Sequence, residues 1–260
     1  EDFGRENAGK NLNRYRDKFC SFNDDMQGTG ATALAVILSG MKVTKQKLSE
    51  QRIVFFGAGT AGTGIADQIC ASMVREGLSK EEARRSFYLI DRQGLLLSEM
   101  KGLTDFQKPY AHPTESIKDW EFEGDNPDLF AVVDNAKPTI LIGCSAVTGA
   151  FTEKVIKAMA SHVEHPIILP LSNPTSRAEA HPANLFEWTN GKALVATGSP
   201  FAPVEFNGKK IRISQSNNAF IFPGLGLGVV ACRPKILTDE IIWAASLALS
   251  ECSPALEDET

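Results

Sequence analysis

The apolar run Ile53-Val54-Phe55-Phe56 leads straight into Gly57-Ala58-Gly59-Thr60-Ala61-Gly62, after which Ile65, Ile69 and Met73 recur at helical spacing. A short strand, a G-x-G-x-x-G turn and a helix in that order leave few folds open. In such a turn one glycine allows the tight bend, one lets the backbone approach a pyrophosphate, and one lets the helix pack closely on the strand. The helix N-terminus adds free N–H groups and a positive dipole end, both suited to phosphate. Taken alone the motif leaves two readings open, a dinucleotide site and a tight strand-to-helix turn with no ligand. Its context favours the first. A second apolar run, Phe87-Tyr88-Leu89-Ile90, ends in Asp91, the acidic position expected to hold a ribose 2′-hydroxyl. The separation exceeds the usual spacing of roughly twenty residues. Ser79-Lys80-Glu81-Glu82 explains the excess, because its S-x-x-E form is a capping box that starts a short extra helix after Gly77. The alternative for Asp91 is a solvated carboxylate at a strand end.

Further apolar runs of strand length lie at 139–142, 166–169 and 193–196, separated by helical patterns near 152–161 and 178–188. Continuous apolar strands alternating with helices predict an α/β fold, a doubly wound Rossmann-type parallel sheet with helices flanking both faces. Upstream, a helix is expected over 5–19 and an Ala/Leu-rich one over 28–40. Residues 1–27 are read as an N-terminal helix and acidic segment packed on a main dinucleotide-binding domain of residues 28–260. The stretch 95–124, rich in charge and proline, is expected to run over the surface. Residues 204–211 place Asn207-Gly208 between alternating residues and predict a hairpin. Helices over 218–233 and 238–252 complete the chain.

A net charge of −5 argues against a nucleic-acid partner. No apolar stretch reaches bilayer length and no basic-then-apolar signal opens the chain, so a cytoplasmic location away from membranes is expected. Cys20, Cys70, Cys144, Cys232 and Cys252 are odd in number, widely spaced and mostly among apolar neighbours, which predicts buried, reduced thiols. The chain opens on Glu1-Asp2-Phe3-Gly4 without an initiator methionine and closes on acidic residues; it reads as a piece of a longer protein.

Ligands in open α/β sheets bind beyond the carboxyl ends of the strands. Here those ends are Gly57 to Gly62, Asp91, Gly143-Cys144-Ser145-Ala146, Ser172-Asn173-Pro174 and Thr197-Gly198-Ser199-Pro200. Small and amide side chains suit a groove for a flat cofactor, and the same residues also make ordinary turns. Asp24 and Asp25 follow the first helix, and Glu1 and Asp2 precede it. Adjacent carboxylates repel, so a divalent cation among them would explain the cluster. In an extended segment only one of Asp24 and Asp25 reaches a given ion. A helix cap and a solvated acidic face remain the plainer account. Asn217 and Asn218 precede an apolar helix; Asn218 caps it, or the paired amides hold a small carboxylate.

Glu1-Asp2-Phe3, Phe22-Asn23-Asp24-Asp25-Met26-Gln27-Gly28-Thr29, the Gly57 to Gly62 turn, Leu171-Ser172-Asn173-Pro174-Thr175, Gly198-Ser199-Pro200-Phe201 and 217–224 occur together and in this order. This set resembles the malic enzymes over essentially the whole chain. The resemblance implies oxidative decarboxylation of L-malate to pyruvate and CO2, with NAD more than NADP and with Mg²⁺ or Mn²⁺ acting as a Lewis acid. It implies Glu1, Asp2 and Asp25 as metal ligands, Asp24 as the neighbour that orients a catalytic lysine, and Asn173, Asn217 and Asn218 as substrate contacts. The cofactor is assigned to Gly57, Ala58, Gly59, Thr60, Ala61, Gly62, Asp91, Arg92, Ser145 and Asn173. Asp91 would repel a 2′-phosphate that Arg92 and Lys108 could attract. The family's tyrosine acid and lysine base lie in an N-terminal domain whose motifs are not found here; Tyr15, Tyr88 and Tyr110 lie elsewhere. This chain alone is therefore expected to bind dinucleotide without turning over malate, and Glu1 and Asp2, beside a charged α-amino group at a fraying end, to bind metal weakly. The family usually forms dimers or tetramers. Residues 45–50 and 87–94 look close to malolactic enzymes, which release lactate and keep NAD bound; Gly198-Ser199-Pro200-Phe201 looks more like malic enzyme. A nucleotide-sensing module without catalysis is the reading from another class, and the carboxylate cluster argues against it.

Overall fold

Strand β1, Ile53–Phe56, carries no polar residue because both its faces are covered. Ile53 and Phe55 face one core, with Ile65 and Ile69 of a helix behind the glycine turn and Phe87 and Leu89 of the next strand. Val54 faces the other, with Val132, Val133, Leu141, Ile156 and Ile168. One strand feeding two cores is the signature of a sheet sandwiched between helix layers. The structure, a computed structural model, describes residues 5–256.

Chain order runs α1 Arg5–Tyr15, α2 Thr29–Thr44, β1, α3 Thr60–Arg75, α4 Lys80–Arg85, β2 Phe87–Asp91, β3 Gly94–Leu95, α5 Leu129–Ala136, β4 Ile140–Gly143, α6 Glu153–Ala160, β5 Ile167–Pro170, α7 Pro182–Trp188 and β6 Leu194–Thr197. The hairpin β7 Val204–Phe206 and β8 Lys209–Ile211 follows, then β9 Ser214–Gln215, α8 Phe222–Cys232 and α9 Asp239–Glu251. The main sheet has the order β3-β2-β1-β4-β5-β6-β9. Its strands are parallel except for the short β3, which runs antiparallel to β2. Strand order reverses between β1 and β4, so the crevice at their carboxyl ends is where a ligand is admitted. Helices α2 and α3 cover one face, with α9 packed on α2; α5 and α6 cover the other.

The expected elements are present, with shifted ends. The first helix stops at Tyr15, and the Ala/Leu-rich helix spans Thr29–Thr44. Ser79 and Glu82 form the reciprocal capping box that starts α4. Asn207 and Gly208 take φ of 50° and 74°, the two positive values that a two-residue hairpin turn demands. No helix among the described residues is long and apolar enough to cross a membrane.

Two expectations need correction. Residues 95–124 do not simply coat the surface, since Leu96, Leu97, Tyr110, His112 and Ile117 are buried. Their apolar side chains arrive singly between polar residues and prolines, so no period betrays them. The Tyr110 hydroxyl donates to Asp67 at 2.6 Å, and burial pushes the Asp67 carboxyl up. The cysteines are all free, as expected, but Cys20, Cys232 and Cys252 are exposed. Apolar neighbours along the chain do not bury a side chain that leaves the outer side of a helix or loop.

His112 stacks on Tyr88 with ring centroids 4.6 Å apart and 4° between planes, and its Nε2 meets the Phe87 carbonyl at 2.8 Å. Burial first, partly offset by that carbonyl, moves its pKa below the ordinary histidine value. A depressed folded pKa means that the unfolded chain takes up the proton more readily. The stability associated with neutral His112 is thus complete above pH ~6.5 and is lost as pH falls through the lower folded value. Thermal unfolding of this chain between pH 7.5 and about 5 should show a falling midpoint, and His112→Gln should flatten that slope. An unchanged slope in the variant would remove His112 from the account.

Candidate functional site

The glycine turn is built by close approach. Gly57 has φ of +113°, and a Cβ there would lie 2.5 Å from the Cys144 carbonyl carbon and oxygen; one on Gly62 would lie 2.1 Å from the Gly57 oxygen. Only hydrogen fits at either place, which holds β1, α3 and the turn after β4 together. Gly59 precedes α3 with no side-chain cap, so the first-turn N–H groups have no side chain competing for them, as an anion site requires. The Thr60 hydroxyl beside them is buried without a partner. These features fit a pyrophosphate.

Asp91 closes β2 on one side of the crevice. Its Oδ1 accepts from the Arg92 N–H at 2.9 Å, and its Oδ2 from Gln107 Nε2 at 2.9 Å. The same Gln107 Nε2 donates to the Ala58 carbonyl at 3.0 Å, tying the acid to the glycine turn. Sequence reasoning missed Gln107, which sits in the stretch assigned to the surface. Lys108, which could attract a 2′-phosphate, is paired with Asp105 at 2.7 Å.

At the far side of the reversal point lies a cleft of about 520 Å³ lined by Asp24, Asp25, Asn173, Asn217, Asn218 and Phe222. Asp25 also lines a smaller space with Gly59, Thr60 and Ala61, which joins the acidic turn to the glycine turn. Residues Asp24–Gly28 form a π-helical turn, not the extended segment expected. Successive side chains of a helical turn do not point to opposite faces as those of a strand do, and both acids line the cleft. The motif builds this turn from within. Asn23 Oδ1 accepts from the Met26 N–H at 2.9 Å, Gln27 Oε1 accepts from the Asn23 N–H at 3.0 Å, and a Cβ on Gly28 would stand 2.3 Å from Asp24 Oδ1.

Asn218 Nδ2 donates to the Asp24 carbonyl at 3.0 Å and to Asp24 Oδ2 at 2.9 Å, while its Oδ1 accepts from Thr29 Oγ1 at 3.2 Å. Its amide holds Asp24 across 194 residues of chain. The cap expected of Asn218 belongs to Asn217, whose Oδ1 accepts from the Ala219 N–H at 2.9 Å. Asn173 begins a cis peptide to Pro174, and its Oδ1 accepts from the Ser199 hydroxyl. Ser145, assigned to the cofactor, points both N–H and hydroxyl at Glu179, a fully buried acid that the sequence did not single out. Burial, with the Glu179 charge second, pushes the adjacent Cys144 thiol up, so it stays protonated and unreactive.

Asp24 Oδ1 is buried without a hydrogen-bond partner, a polar atom that a ligand in the cleft would satisfy. Of the three expected metal ligands only Asp25 is described; Glu1 and Asp2 lie outside the described residues. Among the described residues no group of three or more His, Cys, Asp or Glu could hold a metal ion. The donor chemistry of Asp25 suits a hard cation, and a complete ligand set needs oxygens beyond those described.

Residues 26–260 match the family model for the malic enzyme NAD binding domain. The chain belongs to that malic enzyme family. It is 55% identical over 252 residues to NAD-dependent malic enzyme 3 of Bacillus subtilis (strain 168), covering 96% of this chain and 44% of the relative. It is 54% identical over 258 residues to the NAD-dependent malic enzyme of Shewanella frigidimarina, covering 99% and 46%. The malic enzyme NAD-binding domain thus spans less than half the length of these curated relatives. The crystal structure of Entamoeba histolytica malic enzyme superposes with a TM-score of 0.69 at 26% identity, over 93% of this chain and 44% of that one. The malic enzyme assignment agrees with the glycine turn, the acid that ends β2 and the acidic turn as they meet in space.

Proposed function

We propose that this chain supplies the cofactor half of an active site that converts L-malate and NAD to pyruvate, CO2 and NADH. The observation that carries this reading is the cleft in which Asp24, Asp25, Asn173 and Asn218 converge beyond the reversal point, on the side away from Asp91. A dinucleotide laid from Asp91 across the glycine turn places its far end there. When bound, NAD accepts hydride and a divalent cation polarises the substrate oxygen. The chain's own residues do the rest. The Gly57 to Gly62 turn admits the pyrophosphate, and Asp91, held by Gln107, accepts from a ribose hydroxyl. Arg92 sits at the rim of that end, and Ser145 and Asn173 border the other. Asp25, with Glu1 and Asp2, would hold the cation. Asn173, Asn217 and Asn218, which line the cleft, offer amides to the substrate carboxylates, and Asn218 also holds Asp24. Asp24, fixed by Asn218, would orient a base contributed from outside these residues. Residues 1–27 would form a helix and acidic metal-ligand segment packed on a dinucleotide-binding domain of residues 28–260.

This reading places L-malate and pyruvate as ligands, a homo-dimer or tetramer as the assembly, and the cytoplasm as the location. Incubating the full-length polypeptide with L-malate, NAD and Mn²⁺ should give pyruvate and free NADH in equal amounts. Lactate without free NADH would identify a malolactic enzyme, and NAD binding indifferent to metal and malate would identify a sensor.

A further inference from the structure

Glu179, in the segment between β5 and α7, is fully buried, and its only donors among the described residues are neutral. Ser145 gives its N–H and its hydroxyl to Oε1, both at 2.9 Å. Ser172 gives its hydroxyl to the same oxygen at 2.5 Å and its N–H to Oε2 at 3.4 Å. The Ser172 hydroxyl in turn accepts from the Ala146 N–H at 2.9 Å, and the Ser145 hydroxyl from the Val147 N–H at 3.1 Å. One carboxyl group therefore joins the turn after β4 to the turn after β5. The chain makes room for it, since a Cβ on Gly143 would stand 2.5 Å from the Glu179 carboxyl carbon. The turn it holds is not relaxed, because Ala146 sits at φ 56°, a region that residues with a side chain rarely adopt. That turn also abuts Gly57, whose absent Cβ is what allows Cys144 and Ser145 to approach.

A buried acid is a costly way to tie two turns unless their exact placement matters. Strand order says what they serve. Asp91 on β2 marks the adenosine end, so the turns after β4 and β5 lie under the other half of a dinucleotide crossing the reversal point. We propose that Glu179 is a positioning residue for the nicotinamide half of the cofactor, acting through Ser145 and Ser172 without touching the cofactor itself. The proposal rests on the cofactor reading above.

Calorimetric titration of this chain with NAD and with ADP tests it, because ADP occupies only the adenosine and phosphate end. Glu179→Gln loses one acceptor oxygen and should bind NAD about tenfold more weakly while binding ADP as the unaltered chain does. Unchanged NAD affinity overturns the proposal, as does a parallel loss of NAD and ADP, which is what a merely structural acid would give. If the unaltered, folded chain binds no NAD, the cofactor reading fails first and takes the proposal with it. Should Glu179→Gln not fold, Ser172→Ala removes the link to Ala146 at less cost and carries the same comparison.

Discussion

Gly57→Ala should bind NAD at least about a hundredfold more weakly and unfold several degrees lower. The backbone at +113° is open to glycine almost alone, and holding a side chain there costs roughly 1–3 kcal/mol. The added methyl would also meet the Cys144 carbonyl at 2.5 Å and the Ser145 nitrogen at 2.7 Å. Both are backbone atoms and cannot rotate away, so overpacking costs a further ~1–3 kcal/mol. Relief requires the turn after β4 to move off the glycine turn, which opens the floor of the proposed pyrophosphate site. A loss of about 2.8 kcal/mol in binding is a hundredfold in affinity. Calorimetry with NAD and a thermal melt of the same preparation check both parts; wild-type affinity in a destabilised variant would show that the turn is structural only.

Asp24→Asn should lower kcat of the full-length polypeptide by about 10²–10⁴, the range associated with a positioned proton-transfer group, and leave NAD affinity unaltered. Oδ2 accepts from Asn218 and Oδ1 is buried without a partner. An amide at Asp24 either sets N–H against N–H at Asn218 or turns a donor into the buried position, and it removes the charge. The glycine turn does not touch Asp24 by any of these bonds, so cofactor binding should persist. Steady-state rates with saturating malate and Mn²⁺, beside NAD titration, decide it. Activity close to that of the unaltered enzyme would remove Asp24 from the chemistry.

The features legible in the sequence are those set by near neighbours. The strand–glycine turn–helix unit, the capping box at Ser79 and Glu82, the Asn207-Gly208 hairpin and the buried strands each follow from residues within one or two turns of chain. Asp91 was legible because it ends a strand. The π-helical turn at Asp24–Gly28 is not legible, because it rests on bonds from Asn23 and Gln27 and on the space left by Gly28 acting together, a pattern with no hydrophobic period to reveal it.

The partnerships that make these pieces a site were not legible. Asn218 holds Asp24 across 194 residues, Gln107 reaches Ala58 across 49, and Glu179 reaches Ser145 across 34. By itself the sequence determined the doubly wound class, the glycine turn between strand and helix and the acids that border the cleft, because side-chain period, backbone freedom at glycine and capping are local properties. Only the tertiary structure decided which amide holds which acid, and that a buried glutamate joins two turns. Those contacts exist because the parallel sheet brings the carboxyl ends of distant strands side by side, and no spacing along the chain encodes that distance.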